Sequence, residues 1–541
     1  MSGNTTEVIK GFHAYQPPGR FMSEVQRRLF SDAIHGIKPP DNLVQDPFNG
    51  GAKDWTDLIT DQCYAPCADP HHKIYALASI DTAPTTLDYL QLRKPKVYEH
   101  IKESHRIGKI NFGDHSPILA QGLYDHIISP FESLEVKEVQ THWTKEHLKE
   151  HFGEYPKGAW LPEAAVDKQT LQVLANSGFE FTILAPWQAK KVRKIGNEHW
   201  DYVRGEIDPS RPYRCNLDNG KSIAIFFFDN HLTDKIANNK DGIYHSSNSL
   251  IEHTKKTRQK GLTVTYNDLE TLGHHWGLHK GVDSVKVVSN SLLDLYEGKV
   301  PGYKLTTFSK YLKEHNLEYE VEIEPWTSWS CKDDQKGHHS LGRWGDHERQ
   351  DCSCGPVWNS SWRSNLRSAH EYLTGDLKRD THGIKKDDFE GVREIFFRDI
   401  GPKYFRDPML AIKQYRAVFE GKERLREFLK MHAAKGISKS RFETMHDLLE
   451  LQRLSMRMNT SCGWFHNSLR RIEPVMNMVA VNDVLDLLKN LLPEGKGNEV
   501  EKNFIHLMSQ VNIENRGDNI YKEAIAANPH YSGKPVLNSA A

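Results

Sequence analysis

Over its first 300 or so residues this chain repeats one pattern: a short apolar run that ends in polar, Gly-rich or His-rich residues and is followed by helix-like sequence. KIYALASID, RIGKINFGDHSP, FEFTILAPWQA, KSIAIFFFDNH and GLTVTYNDLETLGHH are instances. Strands that read as continuous apolar runs are covered on both faces, which is the condition of a parallel sheet built from βα units. The pattern therefore predicts an α/β fold, of the barrel kind, with the polar residues at the C-terminal ends of the strands, where α/β barrels gather their chemistry.

At 541 residues the chain exceeds what one ordinary core supports, so further domains are expected. From about Lys304 the character changes to a segment dense in Trp, Cys and His, from Trp326 to Trp362. Beyond it, MLAIKQYRAVFEGKERLREFLKMHAA and FETMHDLLELQRLSMRM place apolar residues three and four apart, as helices do. The expected division is a barrel over 1–303, a connecting segment over 304–375, a helical domain over 376–514 and a tail over 515–541.

Lys plus Arg total 71 against 72 for Asp plus Glu, a net charge of -1, which offers no broad attraction for nucleic acid or an anionic membrane. No basic run or phosphate-cradling glycine loop is present, and the apolar run Ile223 to Phe228 is far too short to span a bilayer. The N-terminus has no leader-like pattern, so a cytoplasmic protein is expected, its oligomeric state left open. Seven cysteines in so long a chain do not make a disulfide scaffold.

Two acidic residues stand out. Glu163 in GAWLPEAAVD has Trp160 three residues before it and Pro162 immediately ahead, which restricts the backbone that aims the carboxylate. Asp229 in IAIFFFDNHLTD follows three phenylalanines, an apolar setting that favours the protonated form a general acid needs. The competing reading of Asp229 is a helix N-cap. A third acidic site, YNDLETLGHH, sets Asp268 and Glu270 two residues apart with Gly273, His274 and His275 beyond, open to reading as a helix start or a metal site. Near the N-terminus, His13 and Gln16 in HAYQPPGRF could hydrogen-bond sugar hydroxyls, and KINFGDHSP supplies Asn111, Gly113, Asp114 and His115.

Taken in order, these five segments resemble glycoside hydrolase family 57. The resemblance aligns His13, Gln16 and Pro17 with the family's first region and KINFGDHSP with its second. It implies that Glu163 is the nucleophile, that Asp229 is the acid/base, and that Asp268, Glu270, Gly273, His274 and His275 match the fifth region, with Leu269 in place of a glycine and Phe228 where many members carry arginine. TSWSC, GRW, VWNSSWR and TSCGWF are similar to a subgroup with a C-terminal extension. The implied fold is a (β/α)7-type barrel with a mostly helical C-terminal region. The implied activity is retaining cleavage or transfer of α-glucans or related α-linked oligosaccharides, without cofactor or metal. His13, Gln16, Asp268, Glu270 and His274 would position substrate hydroxyls, and Trp160, Trp187 and Trp276 would offer stacking faces.

Two other classes stay open. One is a metal-dependent deacetylase or glycosidase using His13, His274 or His275 with Asp268, and the other a carbohydrate-binding protein without turnover. Cys331, Cys352, Cys354 and Cys462, with His338 or His339, could be assembled into a zinc site, but Cys-x-Cys with distant partners is atypical spacing, and buried packing thiols are the favoured reading.

Overall fold

The computed structural model describes residues 5–16, 55–203, 207–257, 261–333, 338–345, 361–465, 469, 471–513 and 515–527. Its main sheet begins with β1 (Thr6–Ala14), β2 (Ser79–Thr82), β3 (Ile118–Gln121), β4 (Gly158–Trp160) and β5 (Phe181–Leu184). It continues with β6 (Ala189–Lys194), β7 (Asp201–Tyr202), β8 (Tyr213–Asn216), β9 (Ser222–Phe227), β10 (Leu262–Asp268), β11 (Tyr303–Leu305) and β12 (Tyr319–Ile323). Strands β10, β1, β2, β3, β4, β5 and β9 lie side by side in that order and run parallel, with helices in the crossovers between most of them. This is the strand order of the expected (β/α)7-type barrel. At its seam no β9–β10 ladder forms among the described residues, and the Asp229 N–H donates to the Val264 carbonyl at 2.7 Å instead.

Two of the expected strand runs are partly helical. RIGKINFGDHSP enters the helix Pro95–Asn111, and Gly113 and Asp114 turn with positive φ just ahead of β3. That places Asn111, Gly113, Asp114 and His115 at the N-terminal end of the parallel strand, opposite the end where catalytic groups gather. KIYALASID contributes the short helix Ile74–Leu77 before β2.

Beyond β9 the sheet is extended by β8, β12, β6 and β7, in mixed directions. The first hydrophobic core accordingly runs on to Val321 and Ile323, past the boundary expected at 303. A second core gathers the C-terminal helices around Trp362, Leu448, Val481 and Phe504, and it reaches back to Leu123, Val136 and Trp143 of the barrel. Cys331 and the helix Ser361–Thr374 belong to this second core, so the segment 304–375 is shared between the two. Residues 517–527, read as tail from their weak periodicity, form a helix with Ile520, Tyr521 and Ala524 buried. Among the described residues no helix is long and apolar enough to cross a membrane.

Candidate active site

Register decides what meets at the C-terminal end of the sheet. His13 pairs with Asp268 on one side and Asp81 on the other, and residues in register in a parallel sheet share a face. On the same face of β1, two residues before His13, a Cβ at Gly11 would sit 2.2 Å from the Tyr266 ring, so the glycine lets that ring cross the barrel interior. Tyr266 stacks on Trp160 at 4.1 Å between centroids, and its hydroxyl donates to Asp81 at 2.5 Å.

His13 is the hub of a buried network. Its Nδ1 donates to Asp81 at 2.7 Å, and its Nε2 lies 3.2 Å from Nε2 of His126. Burial pulls the His13 pKa down, but the charge and hydrogen bond of Asp81, helped by Asp268 and Glu270, overcome this and raise it to about 9. His126 behaves oppositely: burial and the charge of His13 hold it well below the ordinary histidine value. A protonated His13 therefore donates to a neutral His126, which passes its Nδ1 proton to Ser461 Oγ at 2.6 Å. Ser461 belongs to the C-terminal region and also donates its backbone N–H to the His126 carbonyl at 3.0 Å. Tyr15 stacks on His126 at 3.7 Å.

Glu163 stands in a short turn after β4 with φ of 57°, and Ala164 follows at 49°. Positive φ is uncommon outside glycine and is maintained only where surrounding structure enforces it. The enforcing element is the Trp/Cys-rich segment, which bridges Val166 at Thr327. Trp326 donates to the Val166 carbonyl at 2.8 Å, Val166 to Thr327 at 3.2 Å and Trp329 to the Glu163 carbonyl at 3.0 Å, all through backbone groups. The same segment grips the carboxylate, with Trp329 Nε1 at 3.0 Å and Ser330 Oγ at 2.7 Å, both on Oε2. Among the described residues Oε1 makes no hydrogen bond, so the carboxylate is held through one oxygen.

Asp268 is the acid coupled to this group. Burial raises its pKa, Glu270 raises it further, His13 opposes, and Glu163 and Asp81 add to the rise, for a value of about 7. Glu270, buried, accepts from Tyr64 and from Gln16 Nε2 at 3.2 Å, and burial pushes its pKa up. Leu269, where a glycine was expected, is fully buried in the first core.

Asp229 is elsewhere. Phe228 turns its ring toward Trp329 and Trp187, at 6.3 and 6.1 Å, so the next residue points to the opposite face of the strand. There Asp229 Oδ1 accepts from the Leu232 N–H at 2.8 Å as N-cap of the helix Asn230–Asn238. It faces Lys10, which burial lowers to about 7 against the opposing charge of Asp229. A groove of about 350 Å³ beside it is lined by His231, Leu232, Lys235, His253, Lys256 and Thr257. The N-cap reading describes Asp229: one carboxylate oxygen is taken by the helix it caps, and among the described residues no hydrogen bond joins it to the Glu163 network.

The remaining expectations divide. Gln16 joins the cluster through Glu270 and Tyr64. Trp160 is fully buried with a face covered by Tyr266. Trp187 is half-buried and donates to the Ser328 carbonyl at 3.0 Å, near the Glu163 clamp. Trp276 donates to Ala237 at 2.8 Å and carries Lys280 over its ring, pinned to the helix that Asp229 caps. His274 Nδ1 lies 2.6 Å from Gln62 Oε1, and among the described residues His13, His274, His275 and Asp268 bring no three ligand atoms within 4.8 Å of one another. Cys63, Cys67, Cys215 and Cys331 are buried, and Cys331 Sγ accepts from the Arg343 N–H at 3.0 Å; Pro17, Cys352 and Cys354 lie outside the described residues, as do the side chains of His338 and His339. Asp81, His126, Tyr266, Trp329, Ser330 and Ser461 went unnamed as site residues. Asp81, a carboxylate closing an apolar strand run, carried the clearest missed signal.

Comparison with known proteins agrees with this architecture. The family model described as glycosyl hydrolase family 57 matches residues 54–322, and a domain of unknown function, DUF3536, matches 358–533. Curated protein sequences give no match. Among solved structures, the chain is similar to an exo-type maltose-forming amylase from a Pyrococcus species, at 14% identity and TM-score 0.63 over 96% of this chain and 88% of that one. It is also similar to a 4-alpha-glucanotransferase from Thermococcus litoralis (14% identity, TM-score 0.51, 91% of this chain), of which it spans only 60% of the length. A family 57 branching enzyme from Thermococcus kodakaraensis aligns at 14% identity and TM-score 0.50 over 98% and 96% of the two chains. Residues 54–322 are thus similar to glycosyl hydrolase family 57, and the helical region behind them to DUF3536.

Proposed function

We propose that the protein cleaves or transfers α-linked glucans by a retaining double displacement, with Glu163 as nucleophile and Asp268 as acid/base. The observation that carries this reading is the pairing of a carboxylate held by one oxygen with an acid that burial, Glu270 and, to a smaller degree, that carboxylate raise to about 7. An acid raised to about 7 still holds its proton in part at neutral pH, as a proton donor to the leaving oxygen must.

Glu163 attacks the anomeric carbon while Asp268 gives its proton to the departing glycosidic oxygen, and the bond to that oxygen breaks. The glycosyl ester on Glu163 is then opened by water, or by a sugar hydroxyl, whose proton returns to the Asp268 carboxylate. Retention in this class goes with carboxyl groups about 5–5.5 Å apart. His13, held protonated by Asp81, lowers the Asp268 pKa and keeps it from rising beyond use, a positioning and tuning role. The α-glucan substrate class is supported by the names of the similar structures, an amylase, a glucanotransferase and a branching enzyme.

The test is product analysis after incubation of wild type and Glu163→Gln with linear malto-oligosaccharides and branched glucans. Only shorter products from wild type indicate hydrolysis, and longer together with shorter ones indicate transfer. No product from wild type on any of these substrates defeats the α-glucan reading.

A further inference from the structure

Away from this site, the helix Leu134–Phe152 carries His147 and His151, four residues apart and so on one face. Asp88, on the helix Pro84–Arg93, faces them. His147 Nε2 lies 2.7 Å from Asp88 Oδ1, the two histidine Nε2 atoms are 3.1 Å apart, and His151 Nε2 is 3.8 Å from the same Oδ1. Among the described residues this is the set of three such side chains whose ligand atoms converge within 4.8 Å. Both histidines are buried, while the Asp88 side chain is 28% exposed.

A proton serves these three atoms badly. A neutral His147 carrying hydrogen on Nε2 can aim it at Asp88, and His151 Nε2 can then at most share that one hydrogen. A divalent cation takes a lone pair from all three. Tetrahedral bonds of about 2.0–2.1 Å place neighbouring ligand atoms roughly 3.3 Å apart, and the three observed separations bracket that figure. On His151 the outer layer also fits: its Nδ1 is 2.7 Å from the Tyr98 hydroxyl, an orienting partner of the kind that fixes a ligating imidazole, while the Nδ1 of His147 is buried without one among the described residues.

We propose that Asp88, His147 and His151 form a binding site for zinc or a similar transition-metal ion. Two imidazoles and one carboxylate suit such an ion better than magnesium or calcium, which favour all-oxygen sets. The partly exposed side of Asp88 leaves a fourth position for water. The bound ion ties the two helices together and acts structurally, since none of its ligands contacts Glu163 or Asp268 in the network above.

The experiment uses the tag-free full chain, stripped with chelator and titrated with zinc chloride by calorimetry, with thermal unfolding followed in parallel. Wild type is expected to bind zinc and to unfold at a higher temperature once loaded. Asp88→Asn and His151→Gln should bind at least about 100-fold more weakly at this site and lose the thermal gain, and Tyr98→Phe about 10-fold, as outer partners do. If His151→Gln fails to fold, the isosteric change at partly exposed Asp88 decides. Zinc uptake that is equal in wild type and Asp88→Asn, or absent from wild type, overturns the site.

Discussion

The ends of β9 and β10 carry one acidic residue each, and the two could not be used more differently. Asp268 lies on the face of β10 that carries Tyr266, inside the barrel, in register with His13 and within the field of Glu163. Asp229 follows β9 by two residues, on the face opposite Phe228, where it caps a helix and faces Lys10. A shift of one residue in a strand exchanges inside for outside. An apolar run ahead of a carboxylate therefore reports that the strand is buried, whereas only the alternation reports which face the carboxylate takes.

The comparison breaks most sharply at the nucleophile. Glu163→Gln should lower kcat on a malto-oligosaccharide by about 10⁴-fold or more, the scale on which loss of a nucleophile or its activator is felt. Circular dichroism should show the fold retained. Asp268→Asn comes next, at about 10²- to 10⁴-fold, the usual contribution of a general acid. In wild type the same residue sets the pH dependence. With its pKa raised to about 7, Asp268 is protonated below that value and loses the proton above it, so kcat should fall as pH rises through about 7, and that limb should vanish in Asp268→Asn.

Smaller effects sharpen the account of what holds the inner face. The folded pKa of His13, about 9, lies above its unfolded value of 6.5, so the stability it contributes is fully present below pH 6.5 and is lost as pH rises through about 9. Denaturant midpoints measured across that window should fall in wild type and stay flatter in His13→Gln. Ser461→Ala leaves the His126 Nδ1–H unpaired in a buried place, at a cost of about 1–3 kcal/mol in equilibrium unfolding. The least effect on turnover belongs to the outer face: Asp229→Ala should cost about 1 kcal/mol of stability, as lost N-caps do, with kcat within about twofold of wild type.

The strand ends were legible because apolar runs and the polar residues after them are local signals. Glu163 was legible for the same reason, with Trp160 and Pro162 as its markers. What its carboxylate touches was not: Trp329 and Ser330 lie 166 and 167 residues away and arrive only because the segment after β12 runs beside residues 163–166, bridged between Val166 and Thr327. His126 gave no sign in sequence, since its role depends on His13, 113 residues distant, and on Ser461, 335 residues distant. Pairings of that range depend on how two cores pack, and the C-terminal region had no sequence feature tying it to the site. The His147 and His151 spacing was local and readable, but Asp88, which gives it meaning, lies 59 residues before His147.

The central claim is that Asp268, and not Asp229, gives the proton to the leaving group. It is tested most directly by comparing Asp268→Asn and Asp229→Asn on two substrates, a malto-oligosaccharide that needs a proton donor and α-glucosyl fluoride, whose leaving group needs none. The account predicts that Asp268→Asn loses malto-oligosaccharide cleavage while still releasing a burst of fluoride, and that Asp229→Asn keeps both. The selective loss appearing in Asp229→Asn instead, with Asp268→Asn active on both substrates, would contradict it.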